Sequence, residues 1–216
     1  NSYRTINIAF IDEWLKFSSY RKLNLNKILD TIRLRETHNN IMRTGLGVGG
    51  YCLTKDGKFA KYSSKMFDKK VFNFPLTEKS LKINDKMISN SINLIKNKTT
   101  NLNKKKILIF GYSYKEDIAD SRNSPSKILV KHLKRYVNKI EIIDPYHQDS
   151  IKLLEKKDFL KEFNILIFCV KHFEFYKLID FKKIINLKKT IFDLNHVIPK
   201  RYIKSRYSKN LYILGE

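Results

Sequence analysis

The sequence predicts an α/β protein in which a helical first part is followed by a doubly wound parallel sheet. Between residues 3 and 96 the apolar positions recur mostly every three or four residues, which is the period of an amphipathic helix. The polar stretch 97–103 breaks this pattern, and short apolar runs alternate with helical segments beyond it. Such alternation is typical of strand–helix units with right-handed crossovers. We therefore expect two domains, 1–98 and 103–216.

The first part is predicted to contain three helices. The first spans residues 3–20, and we expect it to be buried through one face, which carries Ile6, Ala9, Phe10, Glu13, Trp14 and Phe17. A second helix is predicted from Leu25 to Arg35, and a polar loop follows over 36–44. The third helix is predicted over 76–96.

The second part is predicted to contain five strands, each a short apolar run of the kind found in buried parallel sheets. These runs are 106–111, 140–144, 165–170, 190–193 and 211–214. Ser124 and Pro125 predict a helix over 126–136, because Ser is a favoured N-cap and Pro fits the first helical turn. Further helices are expected near 150–154 and 178–185.

The composition excludes a disordered chain but leaves the meaning of the charge open. Of the 216 residues, 42% are hydrophobic, which is enough to fill a core. The 44 basic and 21 acidic residues give a formal charge of +23, which suggests a polyanionic partner. Because the lysines are spread along the chain without a dense block, a solvated basic surface and a functional patch both remain open.

Cysteine, histidine and hydropathy patterns exclude other classes of protein. Neither the two cysteines nor the five histidines have the spacing of a disulfide framework or a zinc site, so we expect no metal. We expect the histidines on the surface or in loops, and Cys169 in the core. No apolar run approaches the ~18 residues that span a bilayer, which predicts a cytoplasmic protein without a membrane partner. Because the chain begins at Asn1 in a helical pattern, we expect it to be part of a longer protein.

The sharpest local motif is the glycine cluster 45–50, which Tyr51 and Cys52 follow. Glycines let backbone amides approach the oxygens of a ligand, and they allow positive φ. Cys52 is therefore a candidate nucleophile, with Lys55 able to favour its thiolate and Asp56 able to orient water or accept a proton. The alternative is a glycine turn before a helix with a structural cysteine.

A second motif follows the first predicted strand. Residues 111–125 match neither the P-loop nor the dinucleotide fingerprint. Ligands of open α/β sheets bind beyond the carboxyl ends of the strands, which places Lys115 and Arg122 to meet an anion, with Asp120 orienting the arginine. The alternative is a solvated basic loop.

Together the two motifs resemble the UDP-glucose/UDP-N-acetylmannosamine (nucleotide-sugar) dehydrogenase family. Residues 45–56 match its Gly-x-Gly-Val-Gly-Gly-x-Cys-x-x-x-Asp, and residues 115–125 match its Lys-x-x-x-x-Asp-x-Arg-x-Ser-Pro. The opening 1–10, Asn84 and 144–146 are also similar to family segments. The resemblance implies a central helical domain that forms a homodimer, followed by a Rossmann-like UDP-binding domain. It places the NAD-binding domain and an active-site lysine upstream of Asn1.

The resemblance also implies a reaction and the residues that perform it. Cys52 attacks the C6 aldehyde of a UDP-sugar and forms a thioester that water hydrolyses, with NAD as the oxidant in both steps. The product is a UDP-hexuronate for surface polysaccharide, and this chain by itself is expected to be inactive. The implied catalytic residues are Cys52, Asp56 and Asn1; the substrate-binding residues are Gly45, Gly47, Gly49 and Lys115; and the cofactor-binding residues are Lys55 and Arg122.

Three positions depart from the family pattern. Many members have Asn where this chain has Asp12, and Pro is common where it has Gly57. Some members have a substrate-binding Arg where this chain has Leu194. The last departure leaves the identity of the sugar open. The main alternative is a non-catalytic remnant that binds a UDP-sugar or a protein partner. A specific nucleic-acid binder is not expected, because an aromatic–basic platform or recognition helix is missing.

Overall fold

The computed structural model describes residues 1–68, 71–147, 151–155, 158–203 and 210–216. These residues form two compact units, Asn1–Asn90 with Gly215–Glu216, and Ser91–Leu214. The first unit is helical and the second contains a five-stranded parallel sheet, so the predicted fold class is confirmed. The functional domains 1–98 and 103–216 remain predictions, since the compact units divide inside a helix that ends at Lys98.

The helices of the first unit are α1 (Ser2–Arg21), α2 (Leu25–Ile32), α3 (Cys52–Lys55), α4 (Phe59–Phe67) and α5 (Pro75–Asp85), and α6 (Ile88–Lys98) begins there. Helix α1 stops at Lys22, whose backbone is left-handed with φ 55°. The side chain of Asn24 caps α2 by accepting a hydrogen bond from the backbone N–H of Lys27 at 2.8 Å. None of the described helices is both long and apolar enough to span a membrane.

Helix α1 buries a different face from the predicted one. Its buried residues are Thr5, Ala9, Ile11, Asp12, Leu15 and Ser18. Phe10, Trp14 and Phe17 are instead 48%, 47% and 50% exposed. The prediction was wrong for these three rings because α1 instead buries the face that carries Ile11 and Leu15. On that face the Asn84 side chain of α5 donates to the Thr5 carbonyl at 3.0 Å. Apolar residues occur on both faces of α1, so their spacing does not show which face is buried.

The other helices of the first unit differ from prediction mainly in their limits. The single helix predicted over 76–96 is two helices, because α5 ends at Asp85 and α6 begins at Ile88. Helix α2 ends at Ile32 rather than at Arg35, and α4 has no counterpart in the prediction.

The second unit contains all five predicted strands. They are β1 (Lys106–Phe110), β2 (Lys139–Ile143), β3 (Ile165–Phe168), β4 (Thr190–Asp193) and β5 (Leu211–Ile213). The helices between them are α7 (Pro125–Leu133), α8 (Phe175–Leu178), α9 (Phe181–Ile185) and α10 (Lys200–Ile203). The helix predicted near 178–185 is thus two short helices. The one predicted near 150–154 lies partly outside the described residues, and Lys152–Glu155 forms a 3₁₀ helix.

The strand order β2-β1-β3-β4-β5 places a topological switch point between β1 and β3. The chain leaves β1 toward β2 on one side and returns to β3 on the other, so the loops after β1 and β3 diverge. Gly111 lies at this point with φ +94°, and an added Cβ would be 2.5 Å from the Cβ of Val170. The glycine is therefore required where the ends of β1 and β3 approach each other.

Asp193 is a buried carboxylate at the carboxyl end of β4. It accepts hydrogen bonds from the backbone N–H groups of Val197 at 2.9 Å and Ile198 at 2.8 Å. Burial nevertheless raises the pKa of Asp193 from 3.8 to about 6, against the effect of these donors and of the positive charge on Lys171.

We expect Asp193 to make the free energy of unfolding fall as the pH rises from about 4 to about 6. The folded chain binds this proton more tightly than the unfolded chain, so ionisation in this window costs stability, by up to about 3 kcal/mol. Urea unfolding of the wild type and Asp193→Asn, followed by circular dichroism, measures the difference. The exposed-site variant Asp85→Asn is the control, and the expected result is that only Asp193→Asn flattens the slope. An unchanged slope in Asp193→Asn contradicts the assignment.

Candidate functional site

The predicted catalytic residues Cys52 and Asp56 lie one helical turn apart at the two ends of α3. The N–H of Asp56 donates to the carbonyl of Cys52, which closes this turn. The side-chain amide of Asn1 donates to Oδ2 of Asp56 at 2.6 Å, although 55 positions separate the two residues. The Cys52 thiol is exposed. The fold therefore brings Asn1 and Asp56 together beside the helical turn that begins at Cys52.

Lys55 is held next to this carboxylate. Its Nζ lies 3.7 Å from Oδ1 of Asp56, so Asn1 and Lys55 approach different oxygens of the same carboxylate. The ammonium also lies 4.1 Å from the ring centroid of Tyr51 and 4.5 Å from that of Phe59. Two cation–π contacts and one ion pair thus restrict the position of the Lys55 charge.

The glycine loop before α3 is fixed at its two ends. At its start, the Thr44 hydroxyl donates to Oδ1 of Asn26 in α2 at 2.7 Å. At its end, Gly50 has φ 79°, and the Thr54 hydroxyl donates to its carbonyl at 3.2 Å. Gly45, Gly47 and Gly49 do not adopt positive φ, and they are partly exposed. The expectation of left-handed backbone therefore holds for Gly50 and not for the three predicted substrate-binding glycines.

The second motif forms the loop between β1 and α7, referred to here as the 111–124 loop. Arg122 is held by Asp120, with Nε 3.1 Å from both carboxylate oxygens and the terminal NH2 2.7 Å from Oδ2. This charge-assisted pair lowers the pKa of Asp120 and agrees with the predicted role of Asp120 in orienting Arg122. Lys115 is exposed, and among the described residues it has no ion-pair partner.

A buried carboxylate lies beneath this loop. Asp144 directly follows β2 and is fully buried. Its Oδ2 accepts hydrogen bonds from the backbone N–H groups of Tyr112 at 2.6 Å and Ser113 at 2.8 Å, and lies 3.1 Å from Nε2 of His172. Burial acts to raise the pKa of Asp144, but these donors outweigh it and hold the pKa far below its usual value. The carboxylate is therefore ionised and ties the start of the loop to β2.

His172 is the other buried member of this cluster. It lies in the loop segment after β3, as predicted, but the structure buries it fully, which the prediction did not specify. Its neighbour in the loop, Asp117, accepts a hydrogen bond from the N–H of Phe173 at 2.8 Å. The sequence signal that could have grouped Asp144 and His172 is their position, since each follows one of the two strands that flank β1.

Cys169 behaves as predicted. It is 1% exposed at the end of β3, and burial raises the pKa of its thiol to about 12. This thiol is a packing group rather than a nucleophile. Of the two cysteines, only Cys52 is accessible to a substrate.

The described residues suit contact with a dinucleotide but do not build its main binding site. Lys55 and Arg122 offer positive charge to a diphosphate. The strand–glycine turn–helix unit that cradles a dinucleotide is not formed, because the first unit as described has no strand and Gly111 packs against Val170. No group of three or more His, Cys, Asp or Glu side chains within the described ranges could hold a metal.

A cavity of about 430 Å³ lies in the second unit beside the start of α7. Its lining includes Tyr112 from the 111–124 loop, together with Lys127, Lys131 and Lys134 from α7 and the loop that follows it. Lys115 is not part of the lining. The lysines make this cavity a second place where an anion could bind in the same unit.

The sequence matches two domain models of one dehydrogenase family. The model of the central domain of the UDP-glucose/GDP-mannose dehydrogenase family matches residues 1–86, and that of its UDP-binding domain matches residues 108–200. UDP-N-acetyl-D-mannosamine dehydrogenase of Methanococcus aeolicus is 31% identical over 225 residues, covering 100% of this chain and 49% of the relative. The chain thus spans about half the length of the curated relatives it matches.

Solved structures share the fold. UDP-N-acetyl-mannosamine dehydrogenase of Staphylococcus aureus aligns with a TM-score of 0.71 at 24% identity, covering 100% of this chain and 48% of that one. NDP-N-acetyl-D-galactosaminuronic acid dehydrogenase of Methanosarcina mazei aligns with a TM-score of 0.75 at 18% identity, covering 100% and 49%. At these identities the likeness shows the fold alone. The two domain matches cover most of the sequence, and this chain belongs to the UDP-glucose/GDP-mannose dehydrogenase family.

Proposed function

We propose that this chain supplies the catalytic thiol and the UDP-binding domain of a nucleotide-sugar dehydrogenase that oxidises C6 of a UDP-sugar to the carboxylate. The observation that carries the proposal is the arrangement on α3, where exposed Cys52 lies one turn before Asp56, and Asn1 and Lys55 hold that carboxylate. The chain's membership of the family supports it independently. UDP-N-acetylmannosamine is the first substrate to test, because the M. aeolicus relative bears its name.

In the proposed mechanism Cys52 acts on the aldehyde formed by the first oxidation. Its thiolate adds to C6, and the carbonyl oxygen takes up a proton to give a thiohemiacetal. Loss of a hydride from C6 and a proton from oxygen leaves a thioester on Cys52. Water then adds to the thioester carbon, and cleavage of the C–S bond releases the uronate and restores the thiol.

Asp56 is suited to activate the hydrolytic water. A base must accept a proton from that water, and Asp56 follows Cys52 by one helical turn. The amide of Asn1 donates to Oδ2 and so fixes the direction of the carboxylate. The ammonium of Lys55 lies 3.7 Å from Oδ1, the other carboxylate oxygen.

NAD is the proposed hydride acceptor in both oxidation steps. The residues of this chain that suit contact with it are Lys55 and Arg122, each already oriented by a carboxylate. Their proposed role is to bind and orient the cofactor from this side.

The proposed UDP site is the 111–124 loop with Lys115. Lys115 is exposed and unpaired among the described residues, so its ammonium is available to a diphosphate. Gly45, Gly47 and Gly49 are the proposed contacts to the sugar and diphosphate from the first unit. Their partial exposure leaves backbone amides accessible to an anionic ligand.

We further propose that the protein is a homodimer through the exposed face of α1. Phe10, Trp14 and Phe17 form a continuous aromatic row there, with ring centroids 6.0 and 5.7 Å apart. Ile28 of α2 is also 43% exposed, whereas the neighbouring Leu29 is buried within its own unit. A row of half-exposed aromatic rings of this size is typical of an interaction surface.

Replacing Cys52 with Ser should abolish oxidation of UDP-N-acetylmannosamine by the complete gene product, lowering turnover by roughly 10³-fold or more. Serine lacks a readily formed anion, and an ester of it is hydrolysed more slowly than a thioester. Reduction of NAD⁺ followed by absorbance measures the rate. Cys169→Ala, which removes the buried thiol, is the matched control and should retain activity. Uronate formation at the wild-type rate by Cys52→Ser contradicts the covalent mechanism.

The 216-residue chain should bind UDP, and Lys115→Ala should weaken the affinity about tenfold because it removes a charge-assisted contact. Isothermal titration calorimetry with UDP measures the affinity. Lys131→Ala is the matched control, since it removes a lysine from the cavity beside α7. A loss with Lys131→Ala and none with Lys115→Ala moves the proposed site to that cavity.

The wild-type chain should have twice the 25.7 kDa mass of one copy in light scattering. The double variant Trp14→Ser/Phe17→Ser should be monomeric, because it removes the centre of the aromatic row. Phe67→Ser in α4, which removes a ring that is 78% exposed, is the control and should remain dimeric. A monomeric wild type at high concentration rejects the interface.

A further inference from the structure

His172 is held by two hydrogen bonds that define its protonation. The backbone N–H of Asp117 donates to Nδ1 at 3.0 Å, so Nδ1 carries no proton. The proton is therefore on Nε2, which donates to Oδ2 of Asp144 at 3.1 Å. In this arrangement the imidazole accepts from the loop through Nδ1 and donates toward the end of β2 through Nε2.

Hydrogen bonds to Asp144 and to His172 fix the 111–124 loop on both sides of Lys115. Asp144 holds the N–H groups of Tyr112 and Ser113, which precede Lys115. His172 holds the N–H of Asp117, which follows it. Asp117 has a left-handed backbone with φ 55°, a conformation that an aspartate adopts only with local support. The three residues between Ser113 and Asp117 therefore span two fixed points.

The position of the imidazole is itself fixed by packing. His172 is fully buried, and its ring lies 5.4 Å from the ring of Phe175 and 5.0 Å from that of Tyr146. Tyr146 and Phe173 both donate to the carboxylate of Asp117, at 3.4 and 2.8 Å. The segments after β1, β2 and β3 are thus joined through one side chain.

Lys115 is exposed, and it has no ion-pair partner among the described residues. The backbone of the loop therefore determines which region its flexible side chain can reach. The hydrogen bonds that fix Asp117 relative to Ser113 therefore determine where the Lys115 ammonium can meet a ligand.

We propose that His172 is a positioning residue for nucleotide binding, which acts by holding the loop segment that carries Lys115. The inference rests on the proposed function, in which Lys115 contacts the diphosphate of a UDP-sugar. His172 does not touch the ligand. Its contribution is to keep the loop in the binding conformation before UDP arrives.

Two conservative variants separate the two hydrogen bonds. The Oδ1 atom of an asparagine is bonded to Cγ, as Nδ1 of histidine is, so His172→Asn keeps an acceptor for the N–H of Asp117. The side-chain Nε2 of a glutamine extends about as far from the backbone as Nε2 of histidine does. His172→Gln therefore keeps a donor for Asp144. His172→Leu keeps neither, and the exposed-site variant His132→Asn is the control.

Calorimetry of the full chain with UDP tests the proposal. We expect His172→Leu to weaken UDP binding about tenfold, His172→Gln to weaken it similarly, and His172→Asn to remain within about threefold of wild type. In a Lys115→Ala background His172→Leu should have no further effect, because the loop then has no lysine to position. A purely structural role would reduce binding equally in both backgrounds.

The failures of the two proposals are distinguishable. If the wild type does not bind UDP, the proposed function fails and this inference fails with it. If the wild type binds UDP and all three His172 variants bind equally well, only the inference is overturned. If His172→Leu does not fold, the comparison of His172→Asn with His172→Gln tests the inference instead. Equal UDP affinities of these two variants contradict the role of the hydrogen bond to Asp117.

Discussion

The buried carboxylate of Asp144 is the interaction on which the proposed nucleotide site depends. A buried carboxylate must be paired with hydrogen-bond donors, since leaving it unpaired costs several kcal/mol. Here the donors are the N–H groups of Tyr112 and Ser113 and the ring of His172, so satisfying one charge joins the segments after three strands. The depressed pKa of Asp144 keeps that charge present at neutral pH. The 111–124 loop takes its shape from this requirement.

Much of the second unit could be predicted because its strands are short, apolar and bounded by polar residues. Strand β3 is fully buried, and its sequence reads as an uninterrupted apolar run. The first unit was harder to predict, because α1 buries Ile11 and Leu15 but leaves the larger side chains of Phe10, Trp14 and Phe17 half exposed. In a chain that forms contacts with other chains or domains, large apolar residues mark surfaces as well as cores. Periodicity alone does not distinguish the two.

The candidate site was predictable where its residues are close in sequence. Cys52, Lys55 and Asp56 lie within one turn, so their spacing was enough to group them. The contact between Asn1 and Asp56, and the bond between His172 and Asp117, join residues more than fifty positions apart. These contacts arise from the packing of helices and from the order of strands in the sheet. The family resemblance supplied a role for Asn1 but supplied none for His172.

Amide chemical-shift mapping of the ¹⁵N-labelled chain with UDP tests the central claim most directly, because it reports where the nucleotide binds. If UDP binds at this site, the amides between Tyr112 and Asn123 shift, and so does the amide of Phe173, which donates to Asp117. Amides at the opposite end of the sheet, around Asn103 and Val137, are expected not to change. Shifts confined to those opposite residues, or to α7 around Lys131, would contradict a UDP site built on Asp144 and His172.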